Sequence, residues 1–364
     1  MRGNCFAYCQ SVFKELRNTS YTCTFKMEMN RTWNKNQTVI RFFFTFFLAG
    51  IFAAGNAQQQ VISKLQLTET VPAELLASRS VVLYDPRYKK SELEEIQKSF
   101  AQTGIDAVLY VEQDAVLAGK DITLAYTNHF SSREIKYLIF MDKPANAYRM
   151  IITAFNNKAS LVDAEQGAWV VNNSSLREML MTAYRNSWIS QKKQNLLVNE
   201  VPETTAKVTT ITGKRSEFFA IDLKADELAV PLFNDAEMDT ALKKVMQENY
   251  PFKYKLVPPV ADDSELRKKG FILTLCVAHA RGVVIKKILD YDMLKSESAY
   301  ASTTFPGDLA QVKAIPAETS VYKFYVKHIP SGNVFLGTKW DADTTMEQAL
   351  RNHIKGFKAE LKIN

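Results

Sequence analysis

Cysteine is scarce, with four in 364 residues: Cys5, Cys9, Cys23 and Cys276. The first three lie ahead of residue 57, so the rest of the chain holds Cys276 alone, and one thiol cannot close an internal bridge. No paired-cysteine spacing and no His-Glu-x-x-His occurs, so the usual zinc signatures are missing. Glycine signatures are missing too. A phosphate loop around Gly213-Lys214 needs glycine at 208 and a hydroxyl at 215, where Val208 and Arg215 stand. No G-x-G-x-x-G follows a strand-like run, and no G-x-S-x-G elbow is present.

The apolar run of residues 42–54 is too short to span a bilayer, which takes about 20 apolar residues. Arg41 precedes it and Gly55-Asn56-Ala57 follow it. A basic flank, a short apolar core and small residues form the layout of a secretory signal peptide. The sequence therefore predicts export with cleavage before Gln58 and no membrane span after the cut. The residue directly after the cut is Gln58 and not a cysteine, so a lipid anchor is not expected. Forty-one residues precede Phe42, more than the roughly 15–30 of a whole signal peptide. A start at Met27 or Met29 gives a leader of ordinary length, with Arg31, Lys35 and Arg41 as its basic region.

Excess charge of one sign is also thin. The chain has 46 Lys plus Arg against 39 Asp plus Glu, a formal +7. Residues 1–57 hold seven of the basic and two of the acidic groups, which leaves 39 against 37 after the cut. That balance lacks the electrostatic footprint of a nucleic-acid partner, and none is expected.

The remaining 307 residues suffice for two α/β units. Residues 58–78 read as a polar, then mildly helical lead-in. The first unit spans 79–198. Its buried strands are residues 81–84, 107–111 and 137–141, each a short apolar run closed by turn residues. Ser91 and Glu94 read as a capping box, Leu93, Ile96 and Phe100 as a helical stripe, and Gly104 as its left-handed stop. Residues 114–135 read as helical, with Gly119 interrupting. A hairpin pairs 148–155 with 159–162 across Asn156-Asn157-Lys158. Ser175 and Glu178 then cap a last helix.

Residues 199–216 lack apolar periodicity and read as a linker. The second unit, 217–364, restarts the order. Residues 218–221 read as a strand closed by Asp222, followed by a helix with Met238, Ala241 and Val245. Strands at 253–257 and 271–277 follow, separated by a short helix stopped by Gly270. A less regular stretch, 293–319, precedes a hairpin of 321–328 and 334–336, then a terminal helix capped by Thr345 and Gln348. WVVNNSSLREML and WDADTTMEQAL are the best internal match. The fold class expected is α/β (or α+β): a tandem duplication of a β-α-β-α-β-hairpin-α unit with mixed sheets.

Three carboxylates, Asp85, Glu112 (or Asp114) and Asp142, each follow one of the first three strands. Converging at one end of a parallel sheet, they could hold Mg²⁺, a hard ion that takes oxygen ligands. The same residues serve equally well as helix caps and exit-turn residues. His279, in CVAHARG, reads as a residue just past a strand end, where ligands gather in such sheets. It is the one speculative catalytic residue. Cys276 reads as a small core residue, and Trp169 and Trp340 as staples between hairpin and helix. Two functions follow. The first is an exported, soluble, non-catalytic α/β protein that binds a protein or small-molecule partner in the periplasm, the cell envelope or outside the cell. The second is an Mg²⁺-dependent phosphoester hydrolase built on the strand-end carboxylates.

Overall fold

The run RSVVLY is apolar at successive positions, the pattern of a strand covered on both faces, and it lies inside a six-stranded sheet. The structure, a computed structural model, describes residues 61–145, 147–190, 193–195, 197–206, 208–259, 263–293 and 297–363. The signal-peptide reading, the cut before Gln58 and the start at Met27 or Met29 lie outside the described residues. The first sheet contains β1 (Leu65–Thr68), β2 (Arg79–Tyr84), β3 (Asp106–Glu112), β4 (Ile135–Asp142), β5 (Tyr148–Ala154) and β6 (Gln166–Asn173), in the order β1-β6-β5-β4-β2-β3. The second contains β7 (Arg215–Ser216), β8 (Leu228–Pro231), β9 (Tyr254–Val257), β10 (Leu273–Arg281), β13 (Ser320–His328) and β14 (Asn333–Phe335), in the order β7-β14-β13-β10-β8-β9. A separate ribbon, β11 (Ala299–Thr304) with β12 (Gln311–Pro316), is inserted between β10 and β13.

Strand directions match at every step of the two sheets. The pairs β3–β2, β2–β4 and β6–β1 are parallel, and β4–β5 and β5–β6 antiparallel. The pairs β9–β8, β8–β10 and β14–β7 are likewise parallel, and β10–β13 and β13–β14 antiparallel. The class is mixed α/β, as the sequence predicts, and the two halves share one plan.

The helices are α1 (Lys90–Thr103), α2 (Gln113–Val116), α3 (Lys120–Ser132), α4 (Leu176–Ser190), α5 (Ala236–Asn249), α6 (Asp263–Lys268), α7 (Gly282–Ile288) and α8 (Met346–Glu360). Apolar stripes on α1 and α4 (Ile96, Phe100, Met179, Leu180) bury one face of the first sheet. Leu242, Val245, Leu350 and Phe357 of α5 and α8 do the same for the second. The opposite faces meet in one shared core that joins Val81, Leu83 and Phe140 to Ala278, Ala280 and Tyr325. The two halves therefore belong to a single compact unit.

Several elements depart from the sequence expectations. The lead-in contributes a strand, β1. Helix α1 starts at Lys90, and it is Glu92, not Glu94, that reaches back, 2.7 Å from the Lys89 N–H. The helical stretch after β3 breaks into α2 and α3 at Gly119. The partner of β5 is Gln166–Asn173 rather than 159–162. Asn157, Leu161 and Glu165 all take positive φ, so the segment folds back on itself and cannot pair as a strand. Residues 218–221 are not a strand, and Phe218 and Ile221 are largely exposed. The counterpart of β2 is β8, so Asp222 does not correspond to Asp85. The linker is docked: Glu203 exchanges main-chain bonds with Val108 and Tyr110 on the outer edge of β3. Finally, β10 runs on to Arg281, which places His279 within the strand.

Candidate functional site

A proline decides where the site lies. In the first half β2 pairs with β4 over its whole length, from Arg79 to Tyr84. In the second half β8 pairs with β10 at two positions only, Leu228 with Leu273 and Ala229 with Thr274. Two residues further, the register would set Pro231 opposite Cys276. Proline has no N–H to give a neighbouring strand, so the ladder stops and the strands part. β8 stays attached to β9 as far as Pro231–Val257, so it is the β10 side that opens.

The opening is a cavity of about 830 Å³, within the 300–1,000 Å³ typical of ligand sites. Cys276 lines it together with Leu275 and Val277. Successive strand residues point to opposite faces, so the cavity reaches both faces of β10, which only a gap beside the strand allows. On one face the wall is apolar: Phe233 after β8, Met238 and Leu242 of α5, and Phe324 of β13. His279 and Tyr322, directly paired across β10 and β13, close this face with stacked rings 3.8 Å apart. The His279 Nδ1 lies 3.2 Å from the Val321 carbonyl oxygen. Burial, then Asp235, pushes the Tyr322 hydroxyl pKa up, so it is a neutral donor at physiological pH.

The other face is ionic. Lys327 Nζ lies 3.0 Å from Asp121 Oδ2 and 2.5 Å from Asp263 Oδ2, and Lys120 Nζ lies 3.3 Å from Asp263 Oδ1. Burial raises the Asp263 pKa, but Lys327 and Lys120 outweigh it and hold the carboxyl below its ordinary value. The Cys276 thiol points at Asp121 Oδ2 (3.6 Å). Burial, reinforced by Asp121, pushes its pKa well up, so it stays protonated and unreactive.

The first half closes the far end. The Ala118 carbonyl accepts the His279 N–H at 2.6 Å. Gly119 sits so close that a Cβ there would lie 2.5 Å from the Val277 carbonyl oxygen. Both sides of that contact are main chain, so Gly119→Ala must push the halves apart. The expected cost is about 1–3 kcal/mol, read as a lower urea midpoint. An unchanged midpoint would show that the joint is slack.

The strand-end carboxylates are placed differently. Strands β3, β2 and β4 are neighbours and parallel, but each carboxylate has its own arginine. Asp85 Oδ2 lies 2.5 Å from Arg87, and Asp142 Oδ2 lies 2.6 Å from Arg149, its cross-strand partner. Glu112 and Asp114 are both held by Arg281 of the second half, which also lies 2.6 Å from Glu318. Among the described residues no group of three or more His, Cys, Asp or Glu side chains is placed to hold a metal ion. The carboxylates here pin loops and join the halves. His279 does reach a cavity, though from within a strand. Pro231, Gly119 and the Lys120–Asp121–Asp263–Lys327 set did not stand out in the sequence. Pro231 closing a short apolar run was the one local signal.

Trp169 is core, as expected. Trp340 packs edge-on against Tyr291 and Tyr300, beside the inserted ribbon. No helix among the described residues is long and apolar enough to cross a membrane. In comparisons with known proteins, the chain matches no family model, no curated protein and no solved structure. Fold and site together define a two-halved α/β protein with a cleft opened in the second sheet where the first is closed.

Proposed function

We propose that this is an exported, non-catalytic binding protein of the periplasm, cell envelope or extracellular space, and that its ligand occupies the cleft between β8 and β10. The observation that carries the reading is the contrast between two sheets of identical strand order, one closed and one parted at the same strand pair. Its walls suit binding: apolar side chains on one face, a self-neutralised ion network on the other, and no activated nucleophile. The leader in residues 41–57 supports export. The shared plan of the halves supports their origin by duplication. The alternative, an Mg²⁺-dependent hydrolase using Asp85, Glu112 and Asp142, would need those carboxylates released from Arg87, Arg281 and Arg149.

The test uses the fluorescent apolar probe 1-N-phenylnaphthylamine. The wild type is expected to bind it with a blue-shifted emission. Met238→Trp, which fills the cleft from α5, is expected to weaken binding about tenfold, the equivalent of about 1.4 kcal/mol. Equal probe binding by both proteins would remove the cleft as the site.

A further inference from the structure

The cleft has one property that an ordinary apolar pocket lacks: a bare strand edge. His279 gives its N–H to Ala118 on the side of β10 that faces the gap. Alternate residues of a strand direct their main-chain groups to the same side, so Leu275 and Val277 face the gap as well. Pairing with β8 has ended at Thr274. The ladder therefore leaves the Leu275 C=O and the Val277 N–H without a strand partner, beside a largely apolar wall. Buried main-chain groups are satisfied in nearly all native proteins, and leaving one unmade in an apolar setting costs about 1–3 kcal/mol.

We propose that the ligand is an extended peptide segment of a partner protein, which adds a short strand to the edge of β10 at Leu275–Val277. This rests on the reading of the cleft as the binding site. Strand addition to an exposed edge is a recurrent mode of peptide recognition, with main-chain bonds giving affinity and alternate pockets giving specificity. Here both ends of the edge are stopped, by Thr274 paired with Ala229 and by Ala118-Gly119 against His279 and Val277. The free edge between them is three residues, Leu275 to Val277, or roughly 10 Å at 3.3 Å per residue. The peptide is therefore short or enters by a chain end.

The two faces of the gap specify its side chains. Residues on the side of Leu275 and Val277 meet Met238, Leu242 and Phe324 and should be apolar. Those on the side of Cys276 meet the Lys120–Asp263 pair and should be small and polar. An acyl chain would fill the apolar wall but would leave the edge of β10 unbonded.

The experiment measures fluorescence anisotropy of dye-labelled, end-blocked Val-Thr-Val-Thr with the full chain. Two backbone N-methylated versions, one methylated at both valines and one at both threonines, and dodecanoate serve as competitors. The parent peptide is expected to bind. One of the two methylation patterns is expected to compete at least about tenfold worse, because it removes the N–H aimed at the Leu275 carbonyl, worth about 1.4 kcal/mol. Pro231→Val, which restores the missing N–H and lets β8 close on β10, is expected to stay folded by circular dichroism and to lose the peptide. Equal competition by parent and both methylated peptides, or binding of dodecanoate without the peptide, would overturn the proposal. In either case naphthylamine binding blocked by Met238→Trp would leave the cleft itself standing, and its absence would remove both.

Discussion

Lys323→Met is expected to destabilise the protein by about 3–5 kcal/mol at neutral pH, the cost of leaving one charge of a buried pair uncompensated. Lys323 is fully buried in β13, and its Nζ donates to the carbonyl oxygens of Phe324 (2.9 Å) and Leu336 (2.6 Å) and lies 2.7 Å from Asp341 Oδ1. The other oxygen of Asp341 lies 3.0 Å from His353 Nδ1. Burial alone would raise the Asp341 pKa, but Lys323 and then His353 outweigh it and hold the carboxyl below its ordinary value. Burial, with Lys323 adding to it, lowers the His353 pKa, so the imidazole is neutral. Both folded-state values are depressed. Their stability is thus fully present above the unfolded pKa values and is lost as pH falls, first below the ordinary histidine range and then below the ordinary aspartate range.

In Lys323→Met the sign reverses for Asp341. Without the ammonium, burial dominates, its pKa rises, and the penalty is greatest when it is charged. Urea titrations should therefore show a larger loss at pH 7 than at pH 4. Lys323→Met combined with Asp341→Leu should recover most of it, since replacing a buried pair by apolar groups is often neutral. Equal losses at both pH values in the single variant, with no recovery in the double, would show that the pair is not an energetic unit.

Arg281→Met is the second large effect, about 3 kcal/mol. The guanidinium closes the joint between the halves, with Nε 2.6 Å from Asp114 Oδ2 and a further bond to Glu112. Its third partner, Glu318, is 70% exposed as a side chain and adds little. Burial already raises the Glu112 pKa against the pull of Arg281, so removing the arginine leaves a half-buried carboxylate facing Asp114. The variant should unfold at lower urea at pH 7, with the gap narrowing in acid as Glu112 protonates. Glu318→Gln, by contrast, should change stability by less than about 0.5 kcal/mol. Similar losses for Arg281→Met and Glu318→Gln would contradict this assignment.

What could be read from the residues alone follows a physical line. Signals that act within a turn or two were legible. Gly104 and Gly270 both take the left-handed conformation at φ 88°. Ser175 and Thr345 each accept the N–H of the residue three further on, Glu178 and Gln348, at 3.4 Å. The helical stripe Ile96–Phe100 and the hairpin β13–β14 follow from periodicity and from Ser331-Gly332. By contrast, residues 218–221 carry the apolar look of a strand while LAVP of β8 is only four residues long. Burial on both faces, supplied by distant helices, chose β8. The same holds for β6, whose GAWVVNN is less apolar than its true role requires until β1 and β5 flank it.

The sequence by itself determined the α/β class, the order of most elements in each half, the near-neutral balance after residue 57, and the expectation of export. Local main-chain chemistry and apolar periodicity suffice for these. Only the tertiary structure decided which charges meet. Lys120 and Asp263 are 143 residues apart, Asp121 and Lys327 are 206 apart, and Glu112 finds Arg281 across 169. It also decided that Pro231 opens a cleft rather than merely ending a strand. A missing N–H matters only where a neighbouring strand would have used it, and β10 comes beside β8 only once the sheet has formed.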